Sequence, residues 1–158
     1  MDNESLGHSR RSFLAAGGAG LTLSALAGSG TALAAEGNAA EKANTELVRK
    51  ICKDIATLDV EKLGDYFDDT IQFQLIDGQP IIDGKDKFLG FFKGFVGSFE
   101  RAEFTIHRMH ALGNLVITDR TDRFFAKDGG QDQTFKVTGF HWIKDGKFYE
   151  WKDYSLPE

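Results

Sequence analysis

Val116-Ile117-Thr118-Asp119-Arg120-Thr121-Asp122-Arg123-Phe124 changes character at almost every second residue. Successive side chains of an extended chain point to opposite faces, so Val116, Arg120, Asp122 and Phe124 stand together on one face of a strand. The same period continues outward through residues 100–111, 115–126, 133–144 and 147–154. Gly113-Asn114, Asp128-Gly129-Gly130 and Asp145-Gly146 separate these segments and are residues of the kind that make hairpin turns. Four strands joined by hairpins are therefore predicted.

Upstream, Thr70-Ile71-Gln72-Phe73-Gln74-Leu75 alternates as a further strand and runs into the turn residues Asp77-Gly78. Leu47, Ile51, Ile55 and Leu58 recur at three- and four-residue spacing, which predicts a helix over 41–57. Asp59 can cap a second, short helix over 60–67, with Glu61 in its positively polarised first turn. Phe88, Phe91, Phe92 and Phe95 predict a third helix over 85–95. The expected fold is α+β: a cone-shaped, curved antiparallel sheet wrapped by three N-terminal helices, with a pocket between helices and sheet.

The chain has 158 residues, which suits one globular domain, and its 14 phenylalanines supply enough apolar surface to order it. With 24 acidic residues against 19 Lys and Arg, it lacks the positive field that duplex nucleic acid requires. One cysteine, Cys52, excludes an internal disulfide and any zinc site built on several thiolates. His107 and His110 are three apart on a strand and face opposite ways, so no metal site is expected. No serine sits in a nucleophile elbow and no glycine run forms a phosphate loop. A small neutral organic ligand is the partner that fits.

Ser9-Arg10-Arg11-Ser12-Phe13-Leu14 opens an Ala/Gly/Leu stretch ending at Ala32-Leu33-Ala34, an A-x-A cleavage pattern. Residues 1–34 resemble a twin-arginine signal peptide, 35–44 a flexible lead-in and 45–158 the working domain. The expected destination is the periplasm or the medium, with no membrane attachment after cleavage, since no later segment is long and apolar enough to cross a bilayer.

Chemistry concentrates on two strands. Arg120 and Asp122 share a face with apolar neighbours, and Tyr149, Trp151 and Asp153 share a face of the last strand. Pairing with Arg120 would let two carboxylates occupy a pocket, one protonated and one ionised, as general acid–base chemistry needs. The same spacing also fits an ordinary surface ion pair with Asp153 closing the chain. Gln72 and Gln74 share a face and could position a water, or could be solvent-exposed. His141 shares a face with Phe135, Val137 and Gly139 and suits a core or pocket-wall histidine.

Asp119-Arg120-Thr121-Asp122, Gly139-Phe140-His141-Trp142, Asp145-Gly146-Lys147 and Trp151-Lys152-Asp153-Tyr154 together resemble the limonene-1,2-epoxide hydrolase family, within the nuclear-transport-factor-two-like or SnoaL-like superfamily. The resemblance implies that Asp153 is general base on a water, Asp122 general acid on an epoxide oxygen, and Arg120 the bridge between them. It implies no covalent intermediate, no cofactor, and a homodimer paired through the sheet. Phe104, Phe124, Phe135, Val137, His141 and Trp151 would then form the substrate pocket. That family holds its water with a Tyr and an Asn two apart on the first strand, where Gln72 and Gln74 stand here. A lyase, dehydratase or isomerase using the same polar pocket is the nearest alternative, and a non-catalytic exported ligand-binding domain is another.

Overall fold

The computed structural model describes residues 27–155, with side-chain surroundings from residue 39 onward. Most of the expected export signal, residues 1–26, lies outside the described residues. Helix α1 spans Ala27–Ile55, so residues 35–44, expected as a flexible lead-in, are helical. Alanine, glutamate and lysine are strong helix formers, and the segment is tied down. Glu41 Oε1 accepts from the Gly113 N–H at 2.9 Å and Asn44 Nδ2 donates to the Gly113 carbonyl at 3.1 Å.

Val60–Tyr66 forms a 3-10 helix rather than an α-helix. Val60, Leu63 and Tyr66 are its buried residues, and their three-residue spacing is the eclipsed repeat of that tighter coil. Strand β1, Phe67–Gln74, follows at once, and the two-residue β2, Ile82–Asp83, returns beside it. Helix α2, Lys85–Val96, buries Phe88, Phe92 and Val96, whereas Phe91 is left 40% exposed, outside the buried stripe. Strands β3 (Phe99–Leu112), β4 (Leu115–Ala126), β5 (Gln133–Lys144) and β6 (Lys147–Ser155) then run as successive hairpins.

The six strands lie in the order β2-β1-β6-β5-β4-β3. The sheet is mixed, not antiparallel throughout as expected, because β1 pairs with β6 in parallel. The connection through α2 carries the chain from one edge of the sheet to the other, and the three hairpins bring it back against β1. Val48, Ile51 and Ile55 of α1 and Phe88 and Phe92 of α2 meet the inward residues of the sheet in one core. Phe88 packs edge-on against Phe67 at 4.6 Å between ring centroids and lies 4.4 Å from Phe73. None of the described helices is long and apolar enough to cross a membrane.

Candidate active site

Strand register carries the polar residues to one spot. Arg120 lies opposite Val137, Thr118 opposite Gly139, Gly139 opposite Asp153, and His141 opposite Trp151. Arg120 therefore reaches Asp153 diagonally, from β4 across β5 to β6, and the residue it crosses has no side chain. A Cβ at Gly139 would overlap the Arg120 Nη1 and sit 2.7 Å from His141 Nε2 and 2.8 Å from Thr118 Oγ1. The missing side chain is the space that the guanidinium occupies.

Arg120 is 2% exposed, Asp122 5% and Asp153 4%. The Arg120 Nε–H is shared between Asp122 Oδ1 at 3.0 Å and Oδ2 at 2.9 Å. Nη2 donates to Asp153 Oδ2, and Nη1 donates to Thr118 Oγ1 at 3.2 Å. Trp151 Nε1 donates to the other Asp153 oxygen at 2.9 Å. Charge-assisted bonds of this kind are the strong ones, and here they hold two carboxylates on one cation.

Two ionised carboxylates and one guanidinium would leave a net negative charge in a nearly dry site. Burial pushes the Asp122 carboxyl up to about 6 against the opposing pull of Arg120. Burial also raises Asp153, against Arg120 and the Trp151 N–H. Burial works against the charge on Arg120, but the carboxylates of Asp153 and Asp122 outweigh it and keep the guanidinium protonated. One proton shared by the acids makes the triad neutral. Each oxygen of Asp153 accepts its own N–H, whereas Asp122 has one N–H divided between two oxygens. The better-solvated anion is Asp153, so the proton belongs on Asp122.

The triad opens on a cavity of about 480 Å³, counting the solvent-open space at its mouth. Phe104, Phe124, Phe135, Val137 and Trp151 line it. The helices add Ile55, Phe88, Phe92 and Phe95, and β1 with the residue after it adds Phe73 and Leu75. Among the described lining residues, Arg120, Asp122 and Asp153 are the charged ones, and all other side chains are apolar apart from the Trp151 N–H.

Three expected site residues lie elsewhere. Gln72 and Gln74 do not face the cavity: Ile71 and Phe73 are the buried residues of β1, and the alternation turns the glutamines to the other face. Gln72 is exposed, and Gln74 Nε2 donates to the Gln79 carbonyl at 2.8 Å. An apolar core claims the phenylalanine before it admits an amide, which fixes the parity of the strand. His141 is not a cavity wall either: it is fully buried against Trp151, ring centroids 4.3 Å apart, with Nε2 3.0 Å from Thr118 Oγ1. Thr118 and Gly139 were not singled out for roles from the sequence, although Thr118 shares the face of Arg120 and Gly139 that of Val137.

Comparison with known proteins follows the same outline. The model of the SnoaL-like domain matches residues 48–151, about two-thirds of the chain. The chain belongs to the SnoaL-like domain family. No curated protein matches this SnoaL-like chain. Among solved structures it is similar to an LEH-like epoxide hydrolase of M. tuberculosis, with 23% identity and a TM-score of 0.65 over 73% of this chain and 84% of that one. It is also similar to a nuclear-transport-factor-two-like protein of Anabaena variabilis, at 15% identity and TM-score 0.63 over 75% and 90% of the two chains. A polyketide-cyclase candidate of Xanthomonas campestris matches at 17% identity and TM-score 0.63 over 73% and 92%. These likenesses share the SnoaL-like fold, a helix-backed curved sheet that is not closed into a barrel.

Proposed function

We propose that this SnoaL-like domain is a cofactor-independent epoxide hydrolase acting on a small hydrophobic epoxide. The observation that carries the reading is Arg120 held between two buried carboxylates, Asp122 and Asp153, at the floor of an otherwise apolar cavity. Asp153, ionised, takes a proton from water as the oxygen attacks an epoxide carbon. Asp122, protonated, delivers its proton to the epoxide oxygen as the C–O bond breaks, and the product is a vicinal diol. Arg120 fixes the distance between the acids and exchanges its closer partner as the negative charge passes from Asp153 to Asp122. Ring strain in the epoxide supplies driving force, so a positioned acid and base suffice.

The apolar face of β1 supports a second reading. No polar side chain of β1 is available to help Asp153 hold a water, because Phe73 and Leu75 occupy the wall there. A reaction that only moves protons, such as an isomerisation or elimination, would use the same triad without that water.

Incubating the protein and its Asp153→Asn variant with a panel of terpene and aryl epoxides in heavy-oxygen water separates the readings. Labelled diol from the native protein alone supports hydrolysis. Rearranged or dehydrated product without label supports the proton-transfer reading. Export through the twin-arginine route and cleavage after Ala34 belong to the same proposal, tested by the N-terminal sequence of the periplasmic form. So does a homodimer, tested by sedimentation.

A further inference from the structure

His141 is fully buried, yet it takes no part in the acid–base chemistry just described. Its Nε2 lies 3.0 Å from Thr118 Oγ1, and its Nδ1 has no hydrogen-bond partner among the described residues. The Thr118 hydroxyl also accepts from Arg120 Nη1. A hydroxyl has one hydrogen to give. If that hydrogen goes to His141 Nε2, one polar group is left unmet, the Nδ1–H. If instead Nε2–H donates to Thr118, both the Thr118 hydrogen and the Nδ1 lone pair are unmet, since Thr118 Oγ1 has no other partner among the described residues. The first arrangement leaves fewer buried groups unsatisfied, which is the state folded proteins adopt.

His141 touches the second arm of the site as well. Its ring packs edge-on against Trp151, the residue whose Nε1 donates to Asp153. The histidine thus backs both the bond that seats Arg120 Nη1 and the indole that fixes Asp153.

We propose that His141, as the neutral Nδ1–H tautomer accepting from Thr118, is a positioning residue that locks the Arg120 guanidinium and the Trp151 indole against the two carboxylates. The uncharged state follows from its surroundings. Burial, and the nearby charge of Arg120, hold the imidazole well below its ordinary value. Cys52 of α1 is the other titratable group near the triad, and burial pushes its thiol up to about 12, so it adds no charge. With Thr118 given a hydrogen-bond acceptor behind it, the hydroxyl oxygen presents its lone pairs to Nη1, and the guanidinium plane is set.

This inference rests on the triad being the working centre, but its test needs no substrate. Long-range proton–nitrogen correlation on the nitrogen-15-labelled native protein reads the tautomer directly. The expected result is a protonated Nδ1 and an unprotonated Nε2 for His141, unchanged between pH 5 and pH 8. A protonated Nε2 would overturn the proposal. Carbon-13 titration of the Asp122 carboxyl then reads the positioning. In Thr118→Val and His141→Phe the guanidinium loses its seat, and the Asp122 midpoint moves upward by about one pH unit. His141→Gln, whose amide oxygen can accept from Thr118, returns it toward the native midpoint. Unchanged midpoints in both Thr118→Val and His141→Phe would show a merely space-filling histidine and overturn the proposal, whether or not any epoxide is turned over.

Discussion

Replacing Gly139 with alanine adds one methyl group, and in most strands that is favourable by about 0.5–1 kcal/mol because glycine loses more backbone entropy on folding. Here the methyl overlaps Arg120 Nη1, with His141 Nε2 at 2.7 Å and Thr118 Oγ1 at 2.8 Å on its other sides. Arg120 must leave its seat, since all three neighbours are buried and their bonds run through that point. Overpacking a core costs about 1–3 kcal/mol. Breaking a buried ion pair by removing one partner costs about 3–5 kcal/mol, and displacement of Arg120 from two carboxylates approaches that limit. Offset by the entropy gain, the expected loss is about 3 kcal/mol, equivalent to roughly a 10 °C fall in Tm for a domain of this size. Urea unfolding followed by Trp fluorescence reads it, with Gly94→Ala on α2 as control. Nothing lies within 4 Å of a Cβ at Gly94, so that variant should gain about 1 kcal/mol from helix propensity. A Gly139→Ala protein with the midpoint of the native chain or higher would refute the account of how Arg120 is seated.

Asp153→Asn and Asp122→Asn should each lower turnover of a cleaved epoxide by about a hundred- to ten-thousand-fold, the range of general acid–base catalysis, measured as kcat/KM at pH 6. The pH dependence of stability has a defined sign. Asp122 rises to about 6 in the folded state and Asp153 shifts the same way, so the folded chain binds these protons more tightly than the unfolded chain. Their contribution is fully present below the ordinary carboxyl value of about 4 and is lost as the pH rises through about 6. The urea midpoint should therefore fall over that window in the native protein, and less so in Asp122→Asn. In activity, loss of the Asp122 proton predicts an alkaline limb in kcat/KM with its midpoint near pH 6, absent from whatever activity Asp122→Asn retains. Cys52 is 3% exposed with its thiol pushed up to about 12, so a thiol-reactive chromophore at pH 8 should label it only in urea.

The strand period was the most legible feature because side-chain parity is geometric: Val116, Arg120, Asp122 and Phe124 face one way in any extended chain. The same rule failed to decide Gln72 and Gln74, since alternation fixes which residues share a face and not which face is inward. Phe73 and Ile71 decided it by burial. Parallel pairing of β1 with β6 was not legible either, because it depends on how α2 routes the chain across the sheet and not on local pattern. Residues 35–44 read as a linker from their small and polar members, yet the bonds of Glu41 and Asn44 to Gly113 that hold them are non-local. Arg120, Asp122 and Asp153 meet in the structure, a juxtaposition that spacing alone did not separate from a surface ion pair, because burial depends on how the strands are covered. Gly139 carries no chemistry in its own composition, and its importance exists only in the register that sets it between Thr118 and Asp153.

The departures from ordinary packing gather in one place. Apart from Thr121, whose hydroxyl pairs with His107, the buried residues outside the site are mainly apolar, with aromatic rings packed edge-on and tilted from Phe67 to Phe135. Against that background a buried arginine, two buried carboxylates, a threonine and a histidine with an unpartnered nitrogen occupy adjoining positions on β4, β5 and β6. Well-packed apolar side chains of similar volume would serve stability as well or better than a buried ion triad. Buried charges that cluster at a cavity, in a core that elsewhere buries apolar side chains, are the conflict with local rules expected of a functional site. The cluster also has an internal logic that a random defect would lack. Each oxygen of Asp153 has its own donor, the single N–H on Asp122 leaves it the weaker anion, and the glycine gap admits the guanidinium that joins them. In the proposed reaction, unequal solvation of two carboxylates by one cation is what separates the acid from the base, and that inequality is built from strand register and one absent side chain.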